Sequence, residues 1–278
     1  MSSGIIGLTD WLNTPPGTYL LDWERTHFDH AVGNVFGYHA LQIGLPALDT
    51  LHANRMPHRW LAVEPGDFTE PDDLATAKDA TATRRGSSRR AALMTHSMAL
   101  PFPENSLDLV VLPHTLELSL DPHATLREVA RVLVPEGRVV ISGFNPASLW
   151  GLRQRRGHLY KRWGYDSLFL PPTGEFIGYW RLRDWLRLLD FEVESGQFGC
   201  YRPALTSQPW LNRFAWMDRM GPRWWTIFGA VYFVAAVKRV RGLRLLEPSW
   251  RARRPSGAPA TAVINREPAS RAGPRTGR

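Results

Sequence analysis

The chain has 278 residues, 44% of them hydrophobic, with 12 Trp, 1 Cys and a formal net charge of +8; this sustains one globular core and excludes fibrous, solenoid and disordered classes. Lone Cys200 excludes an internal disulfide, and no cluster has zinc-ligand spacing, which points to a cytoplasmic protein without a metal. Eleven of the 34 Lys and Arg, but only two of the 26 Asp and Glu, lie between Lys238 and Arg278, so the body is near neutral and the basic character belongs to the tail.

No Lys or Arg precedes Ile5, Ile6 and Leu8, and Asp10 interrupts that apolar stretch, unlike a secretory signal. Residues 1–37 read as a helical lead-in. Tyr38 to Gly44 is an apolar run closed by glycine, a strand and tight turn, and Ala47 to His52 can start the helix that follows. A second strand runs from Arg59 to Glu64, before Pro65 and Gly66. Residues 67–90, rich in Asp, Ala, Thr and Arg, read as an insertion with a loop at Arg84 to Arg90, whose four arginines suit either solvent or phosphate.

Ala91 to Thr95 is a weak strand and Leu107 to Leu112 a strong one, uniformly apolar as expected when both faces are covered. Asp121 and Pro122 open a helix with Leu126, Val129, Ala130 and Leu133 at helical spacing, stopped at Pro135-Glu136-Gly137. Val139 to Ser142 is the next buried strand. A second insertion, 144–172, carries Arg153, Arg155, Arg156, Lys161 and Arg162; a helix over Tyr179 to Leu189 and a strand at Phe191 to Glu194 follow. A Trp-rich insertion, 199–228, precedes a last strand at Ala230 to Val237. The apolar run Trp224 to Val237, 14 residues, is too short for the ~20 needed to cross a bilayer and reads as a buried strand. From 248 to 278 Pro, Arg, Ser and Gly without period predict a basic disordered tail. Strands alternating with helices imply an α/β doubly wound sheet.

Three segments, Leu41 to Leu48, Leu100-Pro101-Phe102-Pro103 through Val111, and Leu126-Arg127-Glu128 through Pro135-Glu136-Gly137-Arg138, resemble the class I S-adenosylmethionine-dependent methyltransferase family. The likeness is closest to the methyltransferase type 11 branch that includes quinone-biosynthesis enzymes. It implies a Rossmann-like, mostly parallel seven-stranded sheet with an antiparallel last strand, a domain over 38–247, and S-adenosyl-L-methionine as cofactor. By the same resemblance the cofactor would lie against Gln42, Gly44, Leu45, Pro46, Glu64, His96, Ser97, Pro113 and His114. Glu64, 20 residues beyond Gly44, would hold the ribose hydroxyls. Gln42 stands where the family places an acid, and Pro46 and Leu48 where it places glycines. The expected helix near Ala47 would offer its amide end to the cofactor carboxylate. Pro113 and His114 fall just past the transferred methyl, where His114 would act as proton acceptor, line the cofactor or serve structure; Glu117 would cap a helix N-terminus. Asn145 and Trp150, after the fifth strand, would shape a substrate pocket or serve turn and core.

Three functions follow from these residues: methyl transfer to a small-molecule acceptor, an interaction platform that has lost turnover, and methyl transfer to nucleic acid through the basic segments. No Ser elbow, phosphate loop or dinucleotide fingerprint supports other chemistry, and no transmembrane segment is expected.

Overall fold

The computed structural model describes residues 8, 10–65, 93–161, 168–170 and 174–239. The expectations for the loop at 84–90 and for the tail from 248 lie outside the described residues. Seven strands, β1 (His39–Ile43), β2 (His58–Val63), β3 (Leu93–Met94), β4 (Leu107–Pro113), β5 (Leu133–Phe144), β6 (Phe191–Gly199) and β7 (Val231–Lys238), form one sheet in the order β3-β2-β1-β4-β5-β7-β6. β3, β2, β1, β4 and β5 pair in parallel. β7, last in the chain, runs antiparallel to both β5 and β6 and lies between them. The doubly wound sheet with an antiparallel last strand is therefore the fold.

Alternation along the strands sends side chains to two cores. Ala40, Leu109, Val111, Val140 and Phe233 face one side, and α1 (Pro15–Gly33) covers it with Leu20, Phe28 and Val32. Leu41, Val110, Val139, Ile141 and Val234 face the other, covered by α3 (Pro122–Val132) and α5 (Tyr179–Leu188) through Leu126, Val129, Leu182 and Leu186. Further helices are α2 (Thr115–Leu118), α4 (Leu149–Lys161), α6 (Gln208–Arg213) and α7 (Trp216–Trp224). α1 belongs to the same compact unit as the sheet.

Local chemistry sets the ends of α3. The Asp121 carboxylate accepts from the amides of His123 and Ala124, and Pro122 supplies the first turn without needing a donor. The helix stops at Val132 rather than at Pro135. Leu133 is already extended and pairs with Leu107, and left-handed Glu136 (φ 64°) lies where the ladder shifts register before resuming at Arg138. Likewise the apolar run Trp224 to Val237 is not one strand: Trp224 closes α7, a 3-10 turn spans Thr226–Phe228, and only then does β7 begin.

The largest departure from the sequence reading lies between β1 and β2, where turns replace the helix expected at Ala47 to His52. The cause is Gln42, fully buried at the end of β1. Its amide nitrogen donates to the carbonyls of Gly44, Leu45 and Leu48 at 3.2, 3.1 and 2.7 Å, and its oxygen accepts from the Thr50 amide and hydroxyl at 3.0 and 2.8 Å. One side chain thus satisfies backbone groups that a helix would have paired with each other. Replacing Gln42 by Leu strands these buried groups, so we expect a loss of roughly 2 to 4 kcal/mol in equilibrium urea unfolding. A loss below about 1 kcal/mol would show that the loop is held by other contacts.

Candidate functional site

The strand ends of β1, β2, β4 and β5 meet at one edge of the sheet, and two polar groupings stand there. The first begins where β4 stops. His114 takes a left-handed conformation (φ 53°, ψ 11°), its amide donates to the Ser142 carbonyl at 3.1 Å, and its ring is fully buried 4.3 Å from the Phe144 ring. Three residues on, in α2, Glu117 places Oε2 at 3.0 Å from His114 Nδ1, and its Oε1 accepts from the Phe144 amide. From the opposite side Glu24 of α1 brings Oε1 to 3.0 Å from Nε2, an ion-pair distance although the oxygen lies outside hydrogen-bond alignment. A buried imidazole thus sits between two buried carboxylates.

Burial alone draws the His114 pKa down, but the charge of Glu24 and the hydrogen bond and charge of Glu117 outweigh it, so the imidazole is pushed up to about 10. Burial raises Glu117 above the ordinary carboxylate range, against the opposing pull of His114 and the Phe144 amide. His114 is therefore an imidazolium at neutral pH, with both nitrogens facing carboxylates, rather than a free base near its ordinary pKa. Among the described residues, both Glu24 oxygens, His114 Nε2, the Ser142 hydroxyl and the Tyr232 hydroxyl are buried without an aligned hydrogen-bond partner. The array holds a proton on the ring between the two carboxylates.

The second grouping lies at the ends of β2 and β3. Half-buried Glu64 accepts from the Ser97 amide and hydroxyl at 3.2 and 2.7 Å, and the Ser97 hydroxyl lies 3.2 Å from that of Thr125, itself 2.8 Å from that of Ser119. Glu64 Oε2 has no hydrogen bond among the described residues. Between the groupings, Gly44 is left-handed (φ 76°) and a Cβ on it would stand 3.2 Å from Thr115 Oγ1, which donates to the Ile43 carbonyl. Glycine is needed there for conformation as much as for space.

The other residues singled out in the sequence divide between edge and core. Pro113 is buried at the end of β4 beside His114, Pro46 is half-buried in the turn, and His96 is exposed next to Ser97. Leu45, left-handed at φ 41°, is fully buried with Leu48 among core residues, and no helix end faces the edge there. Asn145 donates to the carbonyls of Ile227 and Gly229 and accepts from the Ala147 amide, tying β5 to the 3-10 turn. Trp150 is buried and donates to the Arg202 carbonyl at 2.8 Å, edge-on to Trp11 and Phe169. Both of their side chains are thus engaged in packing and turn chemistry. In the basic insertion, Arg153 donates to the Ala204 carbonyl and lies 4.8 Å over the Phe169 ring. Glu24 was missed. Its signal was present: it occupies one position of the buried stripe Leu20, Glu24, Phe28, Val32, a carboxylate at four-residue spacing on an apolar face.

Residues 59–141 match the model of the methyltransferase domain family. Over 94 residues the chain is 46% identical to the uncharacterized protein YafS of Escherichia coli (strain K12), covering 34% of this chain and 36% of that one. Over 55 residues it is 42% identical to malonyl-[acyl-carrier protein] O-methyltransferase of Halorhodospira halophila, 20% of this chain and 19% of that one. The matched segments thus span about a third and a fifth of these relatives. Among solved structures, a methyltransferase from Haloferax volcanii, solved with its activator protein, superposes with a TM-score of 0.50 at 16% identity over 84% of this chain and 96% of that one. An S-adenosylmethionine-dependent methyltransferase from Archaeoglobus fulgidus gives 0.50 at 17% over 78% and 94%.

The buried array ties stability to pH. A histidine raised by folding contributes stability that is complete below its unfolded value of 6.5 and lost as pH rises through about 10. The raised Glu117 carboxyl acts in the same direction, because its ionisation is disfavoured in the folded state. We expect the melting temperature of the native protein to fall between pH 6.5 and 10 by on the order of 5 °C more than that of His114→Gln. Parallel curves for the two proteins would contradict the raised pKa.

Proposed function

We propose, from the premise that this chain belongs to the class I S-adenosylmethionine-dependent methyltransferase family, that it binds S-adenosyl-L-methionine and transfers its methyl group to a small-molecule acceptor. The single observation that carries the reading is Glu64. It closes β2 inside the matched region, with Oε1 fixed by Ser97, whose hydroxyl adjoins those of Thr125 and Ser119.

The residues fit the cofactor at its ribose end, where Glu64 would accept from the hydroxyls while Ser97 holds the carboxylate in place. The amino-acid end is built differently from the family pattern. Gln42 carries no charge for an ammonium group, and its carboxamide is already bonded to the loop at both ends. The cofactor supplies a methyl group already activated by its sulfonium, so the chain's own work is alignment and the handling of a proton. Glu24, whose carboxylate faces the His114 ring at 3.0 Å, would take up the proton that an acceptor with an acidic hydrogen releases, while the His114 imidazolium, held from its other side by Glu117, keeps that carboxylate in place. Phe144 and Phe176, in edge contact at 5.8 Å, supply an apolar wall beside that array. A relative whose name gives it an oxygen acceptor is consistent with such chemistry.

A second reading, an interaction platform without turnover, is favoured by the closed Gln42 loop and the buried Leu45. Calorimetric titration decides between the two. We expect saturable binding with a dissociation constant on the order of tens to hundreds of micromolar, weakened by Glu64→Gln by roughly 1 to 3 kcal/mol. If neither S-adenosylmethionine nor its demethylated product gives heat or thermal stabilisation at millimolar concentration, the transferase reading fails and the platform replaces it.

A further inference from the structure

We propose that the outward face of α7, with the adjoining Trp210, Ile227 and Phe228, is a docking surface for an anionic phospholipid bilayer, on which the protein lies without crossing. α7 is inverted relative to an ordinary surface helix. Its small and polar positions face the protein: Gly221 is buried against the Tyr201 ring, and Asp218 accepts from the Tyr19 hydroxyl, the Tyr201 amide and Arg202 Nε at 2.5, 3.2 and 2.8 Å. Its large apolar positions face out. Trp216, Met220 and Trp224, at four-residue intervals, are 52, 38 and 69% exposed, and Ile227 and Phe228 of the following turn and Trp210, shortly before the helix in sequence, are each about half exposed. Apolar side chains concentrated this way within one short stretch mark an interaction surface.

Charge selects the occupant. Arg213, Arg219 and Arg223 are exposed and have no ion-pair partner among the described residues, and the Arg213 guanidinium lies 5.9 Å from the Trp210 ring. Asp218, the one acid between 208 and 228, is held inward by Arg202. The stretch from 208 to 228 therefore presents aromatic rings and three cations, and contributes no outward anion. A second copy docking face to face would bring arginines against arginines with no carboxylate from this stretch to receive them. An anionic bilayer supplies what is missing: phosphates for the guanidinium groups, and an interfacial layer that accommodates tryptophan. In sequence, the further run of eleven bases against two acids from Lys238 onward adds to the same attraction. With nine residues α7 is far too short to span, and no helix among the described residues is long and apolar enough to cross a membrane.

The test is co-sedimentation of the full chain with vesicles of phosphatidylcholine alone or mixed with phosphatidylglycerol. We expect binding to the mixed vesicles. The triple variant Trp216→Gln, Met220→Gln, Trp224→Gln should lower partitioning by roughly tenfold or more at unchanged melting temperature. The variant Arg213→Gln, Arg219→Gln, Arg223→Gln should reduce the preference for phosphatidylglycerol. Should the triple variant melt early, Trp224→Gln alone, at the most exposed position of the helix, should still weaken binding several-fold. The proposal is overturned if the full chain stays in the supernatant with both vesicles, or if the substituted proteins bind as the native one does. It is equally overturned if the lipid-free chain is a dimer that the triple variant turns into a monomer, which would assign the face to a second copy.

Discussion

An imidazolium buried between two carboxylates is the constraint on which the sheet edge depends. Taking three ionisable groups out of water costs several kcal/mol per charge, and only mutual attraction at hydrogen-bond distance offsets it. The arrangement therefore holds only while all three elements stay in place: α1 through Glu24, the left-handed residue after β4 through His114, and α2 through Glu117. Removing one partner of such a set leaves an uncompensated buried charge, a penalty of roughly 3 to 5 kcal/mol. The N-terminal helix is thereby part of the candidate site and not an appendage. The same bridge fixes the Phe144 amide and hence the end of β5.

A second constraint acts one strand away. Gln42 closes the loop after β1 by itself, and its bonds displace the helix that usually follows such a strand. The two constraints together give the edge an unequal character. Toward β2 it keeps an open carboxylate and a set of hydroxyls, suited to a polar ligand; toward β1 the loop has turned its leucines inward. A cofactor anchored at one end and loosely received at the other is the physical content of the proposed weak affinity.

The fold was legible wherever local signals agreed. The continuous apolar run of β4 and the Asp121-Pro122 start of α3 appear in the structure within a residue or two, because burial on both faces and helix capping each dictate residue type directly; the run Val139 to Ser142 is the buried part of a β5 that already begins at Leu133. The first crossover was not legible, since Ala47 to His52 has an acceptable helix pattern and the competing interaction comes from one glutamine five residues upstream. Glu64 and Ser97 were singled out separately by resemblance, and the structure brings them into contact. Glu24 was overlooked because an acid on an amphipathic helix is normally a surface residue; only its spacing on the buried stripe marked it. The charge state of His114 is not legible in the sequence, because the flanking carboxylates come from a helix 90 residues upstream and from the short α2, whose geometry the sequence does not display.

The most direct test of the central interaction is nitrogen NMR of the histidine-labelled full chain, with the His114 signals assigned by comparison with His114→Gln. The account predicts that both His114 ring nitrogens are protonated at neutral pH and lose a proton only as pH rises toward about 10. A neutral ring carrying a single proton at pH 7, titrating near the ordinary value of 6.5, would contradict it.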